Sequence, residues 1–161
     1  MKTLMICLLI FGTIDIGHSE DCDRPIYLSE VTVVAKPFDE MIYDNLVGLG
    51  VSPELALIVV AQAKHESGNY NSDIFWENHN FFGMKHPRKR KTTSIGSSRG
   101  HAVYLSFEDA ITDYFYYLEV FGYPLDEKVV KRWVILLKNK GYFEDSFSRY
   151  YNGVKYFHEN V

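Results

Sequence analysis

The feature that most constrains the fold is an apolar helical segment in the first half of the chain. It begins at Ser52-Pro53-Glu54, which places serine at the N-cap, proline at the first helical position and an acid in the first turn. Its apolar face ends at Glu66, one turn after Gln62, and Gly68 is a natural stop. We therefore expect a central helix, with the rest of the chain forming a frame around it.

Other segments supply that frame, because they show helical spacing together with capping residues. We predict helices over residues 38–49, 72–79 (a short turn), 106–121 and 127–140 (capped by Asp126), and a last helix that starts at Asp145 or Ser146 and runs to 157. The sequence TTSIGSSRG at 92–100, followed by HAVY, predicts a small β-hairpin. With 161 residues the chain is long enough for one domain with a sizeable core. The predicted fold class is α+β and mainly helical.

The N-terminal residues have the pattern of a secretory signal. Lys2 precedes an apolar run over residues 4–14, and small residues follow at 17–19. Asp15 and the shortness of the run argue against a membrane-spanning helix. We expect a signal peptide at 1–19, a tail or edge strand at 20–37 and the functional domain at 38–161. The mature protein would then be secreted or periplasmic, with no stable membrane span. A buried N-terminal strand or helix is the alternative.

Glu66 is the strongest candidate for chemistry. A carboxylate at the end of an apolar helical face loses hydration, and this raises its pKa. A protonated acid of this kind can donate a proton to a departing glycosidic oxygen. The segment that follows is rich in aromatic and amide side chains, which suit a sugar-binding cleft. An exposed glutamate in the last turn of a helix is the alternative interpretation.

Other chemistries lack their required patterns. His65-Glu66 resembles the start of a zinc-protease helix, but position 69, where the second histidine should stand, is Asn69. The remaining histidines show no ligand spacing, so we expect no metal and no cofactor. The sequence contains no Ser–His–Asp pattern, nucleophile elbow or phosphate-binding glycine loop.

Several blocks of the sequence resemble a known family. AQAKHESG at 61–68 and NFFGMK at 80–85 are similar to the patterns AQAxxESGxG and NxFGxK of the bacterial glucosaminidase domain. This is the mannosyl-glycoprotein endo-β-N-acetylglucosaminidase-like family, glycoside hydrolase family 73, which includes many peptidoglycan autolysins. Segments at 102–114 and 140–150 resemble two later blocks of the same family. The likeness extends over about residues 50–157.

The resemblance implies a lysozyme-like fold and an enzyme that acts at the bacterial cell wall. Its substrate would be peptidoglycan glycan strands, cleaved at β-1,4 bonds next to N-acetylglucosamine. It implies that Glu66 is the general acid and suggests that Asn80, Phe82, Tyr104 and Tyr142 line the cleft. For Phe82 and Tyr104 a place in the core is the alternative, and for Asn80 a role as a loop-capping amide.

One departure from the family leaves the mechanism open. Many members carry an acid in a TTEY-like hairpin segment, whereas residues 92–95 read TTSI. Glycoside hydrolases usually need a second carboxylate, and four acids are near in sequence: Asp73, Glu77, Glu108 and Asp109. The alternatives are assistance by the substrate's N-acetyl group, a lytic transglycosylase route with one glutamate, a weakened enzyme, or a non-catalytic glycan-binding module of the same fold.

The segment KHPRKRK at 85–91 carries five formal positive charges. Such a run can bind nucleic acid, but the predicted signal and a net charge of −4 argue against that partner. We expect a solvated loop. The functional alternative is attraction to an anionic polymer such as peptidoglycan. The sequence leaves the oligomeric state open.

Overall fold

The protein is described by a computed structural model over residues 37–160. The predicted signal peptide at 1–19 and the tail or edge strand at 20–37 lie outside the described residues, apart from Pro37. In chain order the elements are α1 (Phe38–Gly48), α2 (Pro53–Glu66), α3 (Asp73–Asn78), β1 (Gly96–Ser98), β2 (His101–Val103), α4 (Phe107–Val120), α5 (Val130–Asn139) and α6 (Phe147–His158). The prediction of a mainly helical α+β fold with a small hairpin is confirmed, and the architecture is lysozyme-like.

Helix α2 lies at the centre of the fold, as its apolar sequence predicts. Its side chains from Leu55 to Ala63 are buried except for Leu57, and it packs against both α1 and α6. The Oγ of Ser52 accepts a hydrogen bond from the backbone N–H of Leu55 at 3.2 Å, which is the predicted cap. The helix ends at Glu66, so this carboxylate stands where the buried helix reaches the edge of the core.

The predicted hairpin is confirmed. A tight turn closes it, and a backbone hydrogen bond fixes its position. Arg99 and Gly100 both have positive φ, at 51° and 78°, as a two-residue hairpin turn of type I′ requires. Strand β2 is bonded to the preceding loop: the N–H of Ala102 donates to the carbonyl of Met84 at 2.8 Å. This bond fixes the hairpin against the NFFGMK segment.

The prediction that Asp126 caps a helix starting at Glu127 is wrong. Helix α5 begins three residues later, at Val130. The carboxylate of Glu127 accepts hydrogen bonds from the backbone N–H groups of Lys128 and Val129, at 2.9 and 2.8 Å. Because the side chain satisfies these two donors, the chain stays extended at this point instead of starting a helix.

Aromatic packing draws the loop after α3 into the core. Phe81 and Phe82 are buried, and the ring of Phe81 lies within 6 Å of the rings of Phe38, Phe75 and Phe107. The loop is therefore anchored on α1, α3 and α4. No helix between residues 37 and 160 is long and apolar enough to cross a membrane.

Candidate active site

The carboxyl group of Glu66 contacts two segments that are distant in sequence. Its Oε1 accepts a hydrogen bond from the hydroxyl of Tyr150 on α6, at 2.5 Å. Its Oε2 faces Gly83: a Cβ at that glycine would lie 3.8 Å from the oxygen. Gly83 also has a φ of 61°, which favours glycine. The loop can thus approach the carboxyl group closely because position 83 has no side chain.

Two opposing effects set the pKa of Glu66. Burial disfavours the charged form and raises the pKa to about 7, while the hydrogen bond from Tyr150 favours the charged form and lowers it. Burial is the larger effect. Glu66 is therefore largely protonated at mildly acidic pH, and near neutral pH its protonated and ionised forms are present in similar amounts.

Tyr150 is held by aromatic contacts on two sides. Its ring stacks on Phe143 with 3.7 Å between centroids, and it meets the His65 ring edge-on at 4.9 Å. Burial, followed by the nearby carboxylate of Glu66, raises the pKa of Tyr150 well above its ordinary value. The hydroxyl keeps its proton and acts as a fixed donor to Glu66.

Glu66 opens onto a cavity of about 350 Å³, which we call the Glu66 cavity. Its floor and walls come from the end of α2, the loop after α3, the loop after α5 and helix α6. The lining residues are His65, Glu66, Phe82, Gly83, Tyr142, Phe143, Glu144, Asp145 and Tyr150.

Of the four residues that the family resemblance suggested for the cleft, Phe82 and Tyr142 line the Glu66 cavity. The two are linked, because the hydroxyl of Tyr142 donates to the carbonyl of Phe82 at 2.7 Å. The ring of Phe82 stacks on Tyr114 at 4.0 Å. Phe82 is only 2% exposed, so its contribution to the cavity surface is small.

Asn80 and Tyr104 lie behind the cavity wall instead of on its surface. The amide of Asn80 accepts from the N–H groups of Phe82 and Met84, and donates to the carbonyls of Met84 and Ala102. It thereby fixes the shape of the loop that carries Gly83. The hydroxyl of Tyr104 donates to Asp113 in the core, at 2.8 Å. Both side chains are bonded internally and neither lines the cavity.

The sequence analysis missed two acids that share the Glu66 cavity, Glu144 and Asp145. The signal was present: both follow Gly141-Tyr142, within the block that drew attention to Tyr142. The four acids considered from sequence lie elsewhere. Asp73 and Glu77 pair with Arg99, an exposed residue of the hairpin. Glu108 and Asp109 lie in the first turn of α4.

The segment 85–91, which we call the basic segment, is not wholly a solvated loop. Both terminal nitrogens of Arg90 donate to the carboxylate of Asp113, at 2.7 and 2.8 Å. The side chain of Arg90 is 9% exposed, and that of Asp113 is fully buried. Burial alone would raise the pKa of Asp113, but hydrogen bonds from Arg90, Thr92 and Tyr104 outweigh it and hold the pKa below its ordinary value.

Within residues 37–160, no group of three or more His, Cys, Asp or Glu side chains is arranged to hold a metal ion. The described site brings the carboxyl group of Glu66 together with aromatic rings and with the two further carboxylates of Glu144 and Asp145.

Comparison with protein families identifies a match over most of the chain. The model of the glucosaminidase family, described as mannosyl-glycoprotein endo-beta-N-acetylglucosaminidase, matches residues 48–159, more than half of the chain. Neither a curated protein nor a solved structure matches the chain. The matched range begins at the end of α1 and includes all the residues that line the Glu66 cavity.

Proposed function

The chain belongs to the glucosaminidase family, the mannosyl-glycoprotein endo-beta-N-acetylglucosaminidases, and on this basis we propose that it is a secreted peptidoglycan hydrolase. Membership of the family supports a glycan-hydrolase function. The finer proposal is that the enzyme cleaves β-1,4 bonds next to N-acetylglucosamine at the bacterial cell wall, with Glu66 as general acid. Secretion depends on the signal expected at residues 1–19.

One observation supports this assignment above the others: Glu66 has a pKa of about 7 and faces a cavity. Tyr150 donates to Oε1, which leaves Oε2 as the oxygen that carries the transferable proton. As the bond between the anomeric carbon and the glycosidic oxygen breaks, this proton passes to that oxygen. The sugar ring retains the positive charge of an oxocarbenium-like transition state.

We propose Glu144 as the second carboxylate. Asp145 is already engaged, since its Oδ1 accepts from the N–H of Ser146 and lies 3.5 Å from Arg149. Within residues 37–160, the carboxylate of Glu144 has no such partner. It is therefore available to activate a water molecule or to stabilise the developing positive charge.

A second candidate reaction is the lytic transglycosylase route, in which Glu66 acts first as acid and then as base. Many family members carry an acid in the hairpin segment that corresponds to residues 92–95. Here the segment reads TTSI and contains no acid, which favours a reaction that needs only one glutamate. A pKa of about 7 also suits a group that must both lose and regain a proton.

Mass spectrometry of products from purified peptidoglycan tests these proposals. A reducing N-acetylglucosamine end is expected for the hydrolase, and an anhydro end would support the transglycosylase. A reducing N-acetylmuramic end would indicate a muramidase, and no cleavage a binding module. The Glu66→Gln variant, which keeps the shape but removes the proton, should lose activity by at least about 100-fold. Glu119→Gln, an exposed acid on α4, is the matched control.

A further inference from the structure

A larger cavity adjoins the Glu66 cavity. It measures about 940 Å³, and the two share Phe82, Gly83, Tyr142 and Glu144 as lining residues. We call it the basic groove. A volume of this size can hold a ligand of several residues or sugars. Because the lining is shared, a polymer bound beside Glu66 can continue into the basic groove.

The two walls of the basic groove differ in chemistry. One wall is the basic segment, from which Lys85, Arg88, Lys89, Arg90 and Lys91 line the cavity. The other is the end of α4, with Tyr117, Val120 and Phe121. Val120 and Phe121 are exposed by 59% and 45%, so apolar surface faces the groove opposite the positive charges.

The basic wall is fixed on α4 by contacts of Arg90 and Lys91, and by Thr93 just beyond the segment. Arg90 forms its paired hydrogen bonds with the buried Asp113. The ammonium group of Lys91 lies over the ring of Tyr116, 4.0 Å from its centroid. The hydroxyl of Thr93 donates to the carbonyl of Asp109 at 2.6 Å. The segment therefore presents its remaining cations from a defined position.

Among residues 37–160, the other three cations of the basic segment, Lys85, Arg88 and Lys89, form no ion pair. Glu144 is the acid among the residues that line the groove, and it stands at the end shared with the Glu66 cavity. Like charges gathered along one wall repel one another and attract an anionic ligand. In a chain of net charge −4, this concentration of positive charge is local.

We propose that the basic groove is a subsite for the carboxylates of the peptide stems that a peptidoglycan strand carries beside the bond to be cleaved. The inference depends on the proposed function and makes it more specific: the preferred substrate is a peptide-bearing, carboxylate-rich strand, and not a neutral N-acetylated glycan. Lys85, Arg88 and Lys89 pair with the carboxylates, while Tyr117 and Phe121 contact the apolar parts of the stem.

The test compares native peptidoglycan with the same material after its carboxylates have been converted to amides. The triple variant Lys85→Gln, Arg88→Gln, Lys89→Gln leaves the anchors Arg90 and Lys91 in place. We expect wild type to cleave native peptidoglycan about tenfold more efficiently, in kcat/KM, than amidated peptidoglycan. We expect the triple variant to cleave both equally, at the rate that wild type shows on the amidated material.

A matched control removes three exposed cations outside both cavities: Lys128→Gln, Lys131→Gln, Lys155→Gln. It changes the net charge equally, so it should keep the wild-type preference. Equal loss of preference in this control would show a general charge effect and overturn the proposal. So would a triple variant that loses activity on both substrates to the same extent, or one that keeps the full preference.

Binding measured without catalysis separates the subsite from the reaction. In a Glu66→Gln background, co-sedimentation should show weaker binding to amidated than to native peptidoglycan, and this difference should vanish in the triple variant. If wild type cleaves nothing but this pattern holds, the proposed reaction fails and the subsite stands. If the triple variant instead loses binding only to a phosphate-rich wall polymer, the carboxylate assignment is wrong.

Discussion

The hydroxyl of Tyr150 and the carboxyl of Glu66, 84 positions apart in the chain, form a 2.5 Å hydrogen bond. The donated proton stabilises the ionised carboxylate, whereas burial stabilises the neutral acid. This single bond therefore limits how far burial raises the pKa of Glu66, and it occupies Oε1 while Oε2 faces Gly83.

Replacing Tyr150 with phenylalanine should raise the pKa of Glu66 further. The ring, and with it the stack on Phe143, would be kept while the donor is lost. A hydrogen bond to a charged group contributes about 1.5–3 kcal/mol, which corresponds to about one to two pH units. The alkaline limb of the kcat–pH profile should therefore move to higher pH by this amount. Tyr151→Phe is the control, because Tyr151 stacks on Phe147 outside the Glu66 cavity. An unmoved limb in Tyr150→Phe would contradict the assignment.

Glu66 should also make the protein less stable as pH rises. Its pKa is raised in the folded state from an ordinary value of 4.5 to about 7, so the folded state binds more protons between these values. The free energy of unfolding should therefore fall across this window, by up to about 3 kcal/mol, and remain level above it. Urea unfolding of Glu66→Gln at pH 4 and pH 8 checks this: relative to wild type, the variant should gain stability at pH 8. A constant difference at both pH values would mean that burial does not destabilise the charge.

The pair of Arg90 and Asp113 should be critical for stability, in contrast to the exposed pairs of the hairpin. Arg90→Met leaves a fully buried carboxylate without its partner, and such a loss costs about 3–5 kcal/mol. Arg99→Met removes exposed pairs with Asp73 and Glu77, which contribute about 0–1 kcal/mol. Urea unfolding of the two variants measures the difference. Similar losses in both would show that Asp113 is less isolated from solvent than its burial indicates.

Gly153 should not tolerate even a methyl group. A Cβ at this position would lie 2.3 Å from the imidazole of His65, which in turn contacts Tyr150. Gly153→Ala should destabilise the protein by about 1–3 kcal/mol, despite the better helix propensity of alanine. Gly48→Ala, with no atom within 4 Å of the new Cβ, is the control and should be neutral or slightly stabilising. Thermal unfolding of both variants measures the contrast; equal midpoints would mean that His65 moves aside freely.

Glu144 and Asp145, the two other acids of the Glu66 cavity, should differ in their effect on catalysis. Glu144→Gln should lower kcat by about 100-fold if this carboxylate activates water or stabilises charge. Asp145→Asn should cost less, because Asp145 is bonded to Ser146 and lies close to Arg149. Steady-state kinetics on one peptidoglycan preparation compares them. Full activity in Glu144→Gln would favour the single-glutamate route, and the product ends would then be expected to be anhydro.

Local sequence determined the elements that carry the site. The cap at Ser52, the apolar face of α2 and its end at Glu66 all depend on residues within a few turns of one another, so periodicity and capping were sufficient to predict them. The hairpin turn at Arg99-Gly100 is equally local. One local prediction was wrong, the helix cap at Asp126. The side chain of Glu127 accepts from the backbone N–H groups that such a cap would have bound.

Only the tertiary structure decided what surrounds Glu66. The donor Tyr150, the acid Glu144 and the internal bonding of Asn80 and Tyr104 arise from contacts that no helical or strand period encodes. The same is true of Arg90. Its place in a run of basic residues predicts a solvated side chain, whereas in the fold it pairs with the buried Asp113. Burial and hydrogen bonding across distant segments set the pKa of a carboxyl group, so sequence could locate the acid but not its environment.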